Sequence, residues 1–548
     1  MRSRIRFCGW IGLYFLSFFI GVQAETTSRA HITILSTTDL HGHIDPIDYY
    51  TNKPANTGLA KVATVVKKAR KSDPDLLLLD SGDTIQGTPL VYYHNRKNNA
   101  PSDPMMLAMN ALRYDAMTLG NHEYNFGLDV LDKARSEAKF PWLSANTYFA
   151  STHKTAYSPY LIKEIQGVRV AVLGLTTPGI PVWENPENFK GLEFRDAAAE
   201  AKKWVPILRE KERADVVVVA MHMGIEEDLA TGQRWPTNIP NENAGVAIAN
   251  TVPGIDVILM GHTHREIPSL YINGILLTQA DRWGDCVARA DLYLEKKGEP
   301  SSWKVIARAA RTIPIDEAVA PDPEIIALNE PYHRETQAWL DKVIGDCPAD
   351  VSAASGYTQD TALLDLIQRV QLDASGADVS LAATFNPRAR IAKGPVTVRD
   401  IASLYIYENT LVVLDITGAQ FKEALEYSAR FFRPYEPGKS AAYLVDKRIP
   451  GYNFDVAEGV DYEIDLTRRQ GERIRNLTFH GKPLDPGQKL KLAVNNYRYN
   501  GGGGYTMFKN APILSKSSEE IRDLIIAWVE KHGVIPTEAT NNWKIVTQ

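Results

Sequence analysis

Short runs of apolar residues recur through the first half of the chain, and each one ends at a turn that carries polar side chains. Five runs have this form: residues 32–36, 75–80, 115–119, 215–221 and 256–260. Their length predicts buried strands, and apolar residues at helical spacing predict helices over residues 57–70, 103–111 and 129–138. Because the two patterns alternate through about residue 310, we expect a mostly parallel sheet covered by helices.

Two strand pairs are also predicted within this region. Residues 156–165 and 168–175 flank a glycine and have the pattern of a hairpin. Residues 275–280 and 288–294 are predicted as antiparallel strands joined by the segment 281–285.

The pattern changes near residue 314, where proline, alanine and acidic residues are typical of an exposed linker. A long helix with a break at Pro331 is predicted over residues 322–345, as a rigid connector between two lobes. The second lobe has an α+β pattern. Its predicted helices are residues 361–372 and 419–431, and its predicted strands are residues 411–416, 460–466, 475–479 and 489–494.

Side chains that can bind a metal ion follow all five buried strands. The candidates are Asp39, His41, Asp83, Asn121, His222, His262 and His264. Hard oxygens mixed with imidazoles suit Zn, Mn or Fe better than Ca or Cu(I). Any one of these histidines alone is more simply explained as a hydrogen-bonded core residue, but their order at successive strand ends favours a metal site. Seven candidate ligands exceed what one four-coordinate ion takes, so we expect two ions.

The length of 548 residues predicts two large domains, and a composition with 44% hydrophobic and 23% charged residues is that of a globular protein. The formal net charge is −5, and the first 24 residues contribute three arginines and no acid. A protein that binds a nucleic acid polymer through its phosphates is normally basic. The charge therefore favours small anionic substrates.

The N-terminus has the form of a secretory signal peptide. Arginines precede an apolar segment over residues 8–22, and Val22-Gln23-Ala24 offers small residues for cleavage after residue 24. A membrane anchor is the alternative, but the apolar run is shorter than the ~20 residues that span a bilayer. Cleavage would leave Cys286 and Cys347, and the sequence leaves open whether they form a disulfide.

Aromatic residues lie beside glycine in the second lobe. Four segments show this composition: residues 385–390, 405–410, 452–454 and 495–505. Glycines 501–504 would let the backbone approach a ligand closely, and Tyr505 could stack on a nucleobase. The alternative interpretation is a set of surface tyrosines beside a flexible turn.

The motifs D-L-H-G-H, S-G-D-T, T-L-G-N-H-E, M-H-M-G and M-G-H-T-H, in this order, resemble the secreted nucleotidase branch of the calcineurin-like metallophosphoesterases. The G-G-G-G-Y segment resembles the nucleotidase C-terminal domain. This resemblance implies an α/β fold with a four-layer α/β/β/α metallophosphoesterase domain, a helical linker and a C-terminal α+β domain. The implied divisions are a signal peptide 1–24, a catalytic domain 25–320, a linker 321–347 and a substrate-binding domain 348–548.

The resemblance also implies roles for single residues. One ion would be bound by Asp39, His41 and His264 and the other by Asn121, His222 and His262, with Asp83 bridging two divalent ions such as Zn, Mn or Co. His122 matches the catalytic histidine of the family, and Glu123 is expected to orient a ring N–H. Tyr407 and Tyr505 match the rings that sandwich the base. Asn386, Arg388 and Arg390 stand where the family has a phosphate or sugar loop.

One position departs from the 5′-nucleotidase pattern. A carboxylate usually follows the catalytic histidine three residues later, whereas this chain has Asn125. The segment N-H-E-Y-N-F-G instead resembles the bifunctional 2′,3′-cyclic-nucleotide 2′-phosphodiesterase/3′-nucleotidase group. We therefore expect opening of cyclic nucleotides to 3′-nucleotides, followed by release of phosphate.

Two alternatives remain at this stage: a 5′-nucleotidase or nucleotide-sugar hydrolase, and a secreted nucleotide-binding protein with inactive metal sites. The expected partners are small nucleotides, with no nucleic acid polymer and no stable membrane insertion. A monomer in the periplasm of a Gram-negative bacterium is the expected state.

Overall fold

The computed structural model describes residues 27–234, 239–297 and 302–547. The predicted signal peptide lies outside these ranges and remains a prediction, as do the domain boundaries. Within the described ranges, every helix is too short or too polar to span a lipid bilayer.

Two six-stranded sheets form the centre of the N-terminal region. The first sheet has the spatial order Lys304–Pro314, Cys286–Lys297, Thr27–Thr37, Leu77–Asp80, Ala116–Thr118 and Trp142–Leu143. The second has the order Glu266–Ile272, Ile275–Ala280, Val257–Met260, Val216–His222, Val168–Thr176 and Tyr160–Ile165. In the first sheet the four strands from Thr27–Thr37 to Trp142–Leu143 are parallel, and the other two are antiparallel to their neighbours. In the second sheet the four inner strands are parallel, and both edge strands are antiparallel to their neighbours.

The two sheets pack face to face through a buried apolar layer. Ile32 and Leu77 of the first sheet belong to the same cluster as Val172 and Val218 of the second. Helices cover the outer face of each sheet: Leu59–Ser72, Pro89–Arg96, Pro104–Ala111 and Leu128–Glu137 on the first, and Ala197–Pro206 and Gly245–Thr251 on the second. The predicted four-layer α/β/β/α order is confirmed.

One predicted strand pair is wrong. The strands Ile275–Ala280 and Cys286–Lys297 were expected to be antiparallel partners, but they belong to different sheets. The segment between them, residues 281–285, crosses from the second sheet to the first. In contrast, the predicted hairpin forms, with Tyr160–Ile165 antiparallel to Val168–Thr176.

The connecting helix also differs from its prediction. It runs from Pro323 to Leu340 without interruption at Pro331, and residues 343–347 form a strand rather than a last helical turn. Proline removes one backbone donor, yet this helix is fixed along its side, where Asn329 donates to Asp45 (2.8 Å) and Tyr332 donates to the Ser102 carbonyl (2.7 Å). Contacts with the N-terminal region therefore compensate for the lost bond.

As predicted, the C-terminal region is an α+β lobe. It contains two main sheets. Its five-stranded sheet has the order Asp455–Glu458, Val379–Ala383, Lys489–Asn495, Thr410–Thr417 and Ile513–Glu520. Its four-stranded sheet has the order Lys482–Pro483, Ile474–Phe479, Asp461–Asp465 and Trp543–Val546. The longer helices are Ala362–Ser375, Val398–Leu404, Gly418–Ser428 and Ile521–His532. Cys286 and Cys347, whose pairing was open, are both free and buried.

Candidate metal centre and substrate cleft

The carboxyl ends of parallel strands from both sheets meet at one edge of the sandwich. Asp39, His41, Asp83 and Asn121 follow strands of the first sheet, while His222, His262 and His264 end or follow strands of the second. The structure brings all seven candidate ligands together here. Six of them form two groups whose ligand atoms lie within 4.8 Å of one another: Asp39, His41 and His264, and Asp83, His222 and His262.

The first group is held closely together. His264 Nε2 lies 3.1 Å from His41 Nε2 and 3.3 Å from Asp39 Oδ1. These distances leave the three donor atoms around a common point.

The second group is joined to the first by Asp83. Its Oδ2 lies 2.9 Å from His222 Nε2 and 3.9 Å from His41 Nε2, so one carboxylate faces both groups. Asn121 Oδ1 lies 3.2 Å from the same His222 nitrogen. This geometry suits a bridging carboxylate with a neutral amide oxygen beside it.

The hydrogen bonds of two imidazoles test whether these groups fit cations. His41 Nδ1–H donates to the Gln86 carbonyl (3.1 Å), and His222 Nδ1–H donates to the Ser81 carbonyl (2.8 Å). Since a carbonyl only accepts, Nδ1 of each ring carries a proton and Nε2 is the nitrogen that faces the carboxylates. Carboxylate oxygens and imidazole nitrogens that face one another in a buried site need positive charge between them, which a proton or a metal ion can supply. The donor sets therefore fit two metal ions.

The pKa values of the two imidazoles are shifted in opposite directions from the ordinary value of histidine. Burial lowers the pKa of His41 to about 3, which keeps the ring neutral. Burial also opposes protonation of His222, but the Asp83 carboxylate raises its pKa to about 10. A metal ion at His222 must therefore displace a proton.

Several of the candidate ligands lie in a strained backbone conformation. Asp39, His41, Asp83, His262 and His264 have φ between +46° and +70°. Residues with a Cβ rarely adopt this region, and such strain is typical of functional sites. Gly120 allows the close approach at this point, because a Cβ there would lie 2.6 Å from the Asp83 nitrogen.

His122 lies beside the two groups and lines the cleft. Its backbone N–H donates to Asp83 Oδ1 (2.8 Å), and its Nδ1–H donates to Asn125 Oδ1 (2.6 Å). Burial opposes protonation, but Asp83 and then Asn125 raise the pKa of His122. The Nε2 side of the ring is thus the side left for a substrate.

Glu123 has a different role from the one expected. Instead of a ring N–H, its buried carboxylate accepts backbone N–H groups from Asp83 (2.9 Å), Thr84 (2.5 Å) and Gly120 (2.6 Å). It therefore fixes the loops that carry Asp83 and Asn121.

A cleft of about 460 Å³ extends from these groups to the C-terminal lobe. Asp83, Asn121 and His122 line one side, and three tyrosines, Tyr407, Tyr452 and Tyr497, line the other. Tyr407 and Tyr452 have ring centroids 6.0 Å apart and nearly perpendicular planes. Aromatic side chains opposite a metal centre suit a ligand with a planar ring and an anionic group.

Tyr505 differs from its predicted position. The ring is fully buried, its hydroxyl donates to the Asn453 carbonyl (3.1 Å), and the Arg498 guanidinium lies 4.4 Å from its centroid. It is absent from the lining of the cleft. Glycines 502–504 approach protein side chains, and a Cβ on Gly502 would lie 2.5 Å from the Tyr497 ring.

The predicted phosphate or sugar loop is likewise outside the cleft lining. Asn386 donates to the Ser403 carbonyl (2.7 Å), which fixes the turn, and Arg388 and Arg390 are exposed. In this conformation the three residues do not meet the metal groups.

Sequence reasoning missed three residues of the cleft, Trp183, Glu184 and Glu242. Trp183 packs against the His262 ring (5.3 Å), and Glu242 Oε1 lies 3.2 Å from His262 Nε2. Glu184 accepts from Asn125 Nδ2 (2.5 Å). For Glu184 the sequence did contain a signal, which is Asn125 at a position where the 5′-nucleotidase pattern has a carboxylate. When that carboxylate is missing, a distant segment can supply one.

A four-layer sandwich with two carboxylate and histidine sets at one edge defines a metal-dependent phosphoester hydrolase. The profile of the calcineurin-like phosphoesterases matches residues 32–266, and that of the 5′-nucleotidase C-terminal domain matches residues 342–510. The chain belongs to the calcineurin-like phosphoesterases that carry a 5′-nucleotidase C-terminal domain.

Individual relatives agree with this assignment. A 2′,3′-cyclic-nucleotide 2′-phosphodiesterase/3′-nucleotidase of Yersinia enterocolitica is 32% identical over 97% of this chain and 91% of that protein. The trifunctional nucleotide phosphoesterase protein YfkN of Bacillus subtilis is 30% identical over 96% of this chain, which spans 40% of the length of that relative. A Staphylococcus aureus structure described as a 5′-nucleotidase in complex with alpha-ketoglutarate has a TM-score of 0.82 and 29% identity, with 94% of this chain and 100% of that chain covered.

Proposed function

We propose that the protein hydrolyses nucleotides, opening 2′,3′-cyclic nucleotides to 3′-nucleotides and then releasing phosphate to give nucleosides. The observation that carries this proposal is the cleft in which two metal-binding groups face three tyrosines. The specific reaction is supported by the name of the Yersinia enterocolitica relative and by the segment Asn121–Gly127.

The ligand roles predicted above are proposed for two divalent cations. Asp39, His41 and His264 would hold one, and Asn121, His222 and His262 the other, with Asp83 between them. When bound, such ions supply positive charge for the phosphoryl oxygens and activate a water nucleophile. A neutral Asn121 keeps the balance of charge positive, which favours an anionic phosphate.

His122 is proposed as the catalytic residue. Its Nδ1–H is engaged by Asn125 (2.6 Å), so in the doubly protonated ring Nε2 is the atom that would give a proton to the departing ribose oxygen. Attack of water on the phosphorus of a cyclic substrate breaks the P–O2′ bond and leaves a free 2′-hydroxyl and a 3′-phosphate, and a second hydrolysis in the same cleft breaks the P–O3′ bond to release phosphate. One set of residues can therefore serve both steps.

Tyr407 and Tyr497 are proposed as the residues that bind the base, with Tyr452 at the edge of the same surface. Their position in the cleft lining supports this choice over Tyr505. Arg388 and Arg390 are left without a proposed substrate contact.

The test compares 2′,3′-cyclic AMP, 3′-AMP and 5′-AMP as substrates for the wild type, His122→Ala and Asp83→Asn, with bound metal counted by mass spectrometry. We expect His122→Ala to keep its metal and lose about 10²–10⁴-fold in kcat. Asp83→Asn should lose both metal and activity, because it removes the carboxylate between the two groups. His153→Ala is the control, since 69% of that side chain is exposed. Wild-type turnover by a metal-free Asp83→Asn protein would exclude the mechanism.

The same substrate panel decides the second candidate function, a 5′-nucleotidase. The Staphylococcus aureus structure favours that alternative by its description. Faster hydrolysis of 5′-AMP than of the cyclic and 3′ substrates would support it and overturn our assignment.

We also propose export to the periplasm through the predicted signal peptide. Sequencing the N-terminus of the protein recovered from a periplasmic extract should find Glu25 as the first residue.

A further inference from the structure

A hydrogen-bonded chain leads from His122 to a buried carboxylate in a different segment. His122 Nδ1–H donates to Asn125 Oδ1 (2.6 Å), and Asn125 Nδ2 donates to Glu184 Oε2 (2.5 Å). Glu184 lies in the cleft lining and is 6% exposed. The Glu184 carboxylate is thus connected to the His122 imidazole through a single intervening side chain, that of Asn125.

The direction of this chain depends on the carboxylate. The side-chain amide of asparagine can present either its oxygen or its nitrogen to the imidazole. An ionised carboxylate only accepts, so it requires the NH₂ group on its own side and leaves the oxygen for His122. The imidazole then keeps Nδ1–H toward Asn125 and Nε2 toward the cleft, where a second proton makes the imidazolium that can donate to a leaving group.

Glu184 is itself fixed by donors. Its Oε1 accepts from the Asn185 N–H (2.5 Å) and from Asn188 Nδ2 (2.9 Å). Burial raises the pKa of Glu184 to about 7, and these donors oppose the rise. The same residue meets the C-terminal lobe, because its backbone carbonyl accepts from Asn500 Nδ2 (3.2 Å).

We propose that Glu184 is a positioning residue for the reaction, acting through Asn125 to set the tautomer and orientation of His122. This inference rests on the proposed function, in which His122 donates a proton to the leaving group. The Asn125 and Glu184 pair supplies the negative partner that the 5′-nucleotidase pattern places directly beside the histidine.

A swap of the two functional groups tests the proposal. In Glu184→Gln the amide oxygen is drawn to the two donors Asn185 N–H and Asn188 Nδ2, so its NH₂ group faces the NH₂ group of Asn125 and the chain breaks. In Asn125→Asp the two carboxylates can share a proton, which keeps a carboxylate beside His122, so this single variant is the active reference. The double variant restores it with the groups exchanged: the new amide at position 184 donates to the new carboxylate at position 125, and that carboxylate accepts from His122. At pH 8 we expect Glu184→Gln to lose about tenfold to a hundredfold in kcat with KM nearly unchanged, and the double variant to recover most of it.

A second readout does not depend on turnover. Nitrogen-15 NMR of labelled histidine in the metal-free protein should show the Nδ1–H form of His122 in the wild type and the double variant, and less of it in Glu184→Gln. Glu187→Gln, whose side chain is 72% exposed in the same segment, is the matched control and should resemble the wild type.

The outcomes separate the two proposals. If His122→Ala is inactive while Glu184→Gln keeps wild-type kcat and tautomer, or if the double variant is no better than Glu184→Gln, the positioning role is overturned and the proposed function stands. If His122→Ala keeps full activity, the proposed role of the histidine fails first.

Discussion

Glu123 shows how one buried side chain can organise a metal site without binding the metal. Its carboxylate accepts four backbone N–H groups at 2.5 to 3.3 Å, from the loops that carry Asp83 and Asn121. A hydrogen bond to a charged group is worth about 1.5–3 kcal/mol, and buried N–H groups left without an acceptor cost a similar amount. The loops should therefore depend on this residue.

We predict that Glu123→Gln lowers both the melting temperature and the metal affinity, the latter by about tenfold to a hundredfold, because the amide NH₂ cannot accept. Thermal unfolding and competition with a zinc-binding dye measure the two effects. Glu164→Gln, at an exposed position, is the control. Unchanged metal affinity in Glu123→Gln would show that the loops keep their shape without the carboxylate.

The identity of the candidate ligands could be predicted at the residue scale, because the ends of neighbouring parallel strands meet at one edge of a sheet and bring the polar side chains there together. The contacts that hold these ligands in place could not be predicted from the sequence. The direction of Glu123 depends on the turn geometry after Asn121, and the pairing of Asn125 with Glu184 joins residues 59 positions apart. Residue type alone gives neither.

At the scale of elements, the apolar runs predicted most strands and helices but not the partner of each strand. A run such as Ile275–Ala280 is buried on both faces, and its pattern is the same whichever neighbour it pairs with. The strand Cys286–Lys297 accordingly joins the other sheet. The helix that continues through Pro331 likewise depends on tertiary contacts, which outweigh the local preference of proline to break a helix.

The loop of residues 495–505 separates two tyrosines that look alike in the sequence. Tyr497 lies over Gly502 and lines the cleft, whereas Tyr505 is enclosed by Arg498 and Tyr427. Stacking on a base is worth about 1–3 kcal/mol, and loss of a packed buried ring costs stability instead.

We therefore predict a double dissociation between leucine variants. Tyr497→Leu should raise KM for nucleotides by about tenfold and leave the melting temperature nearly unchanged, whereas Tyr505→Leu should lower the melting temperature and leave KM within about twofold. Steady-state kinetics and thermal unfolding measure both. The reverse pattern would return Tyr505 to the role that the sequence first indicated.

Across the whole molecule, a polar network joins the metal centre to the interface between the lobes. Gln86 Oε1 lies 3.2 Å from His41 Nδ1, and Gln86 Nε2 donates to Glu408 of the C-terminal lobe. Glu408 in turn accepts from Arg522 (3.2 Å). These residues are hundreds of positions apart, so only the assembled fold could reveal that the lobes meet beside a metal ligand.

Glu520 makes this interface sensitive to pH. Its Oε1 accepts from Arg96 Nε of the N-terminal region (2.9 Å), while its buried Oε2 has no hydrogen-bond partner among the residues that the structure describes. Burial and then repulsion by Glu408 raise the pKa of Glu520 to about 7, although Arg522 and Arg96 oppose the rise. A glutamate carboxyl group exposed to water titrates near pH ~4.3. The closed interface therefore binds a proton that separated lobes would release.

The sign of the effect follows from this difference. A raised pKa stabilises the closed interface at low pH, and that contribution is lost as the pH rises through about 7. We predict that the radius of gyration from small-angle X-ray scattering increases between pH 6 and pH 8.5 in the wild type and in the exposed control Glu519→Gln, but stays constant in Glu520→Gln, whose neutral amide cannot ionise. An equal increase in Glu520→Gln would assign the pH response to another group. A constant radius in the wild type would mean that the remaining contacts hold the lobes together after Glu520 loses its proton.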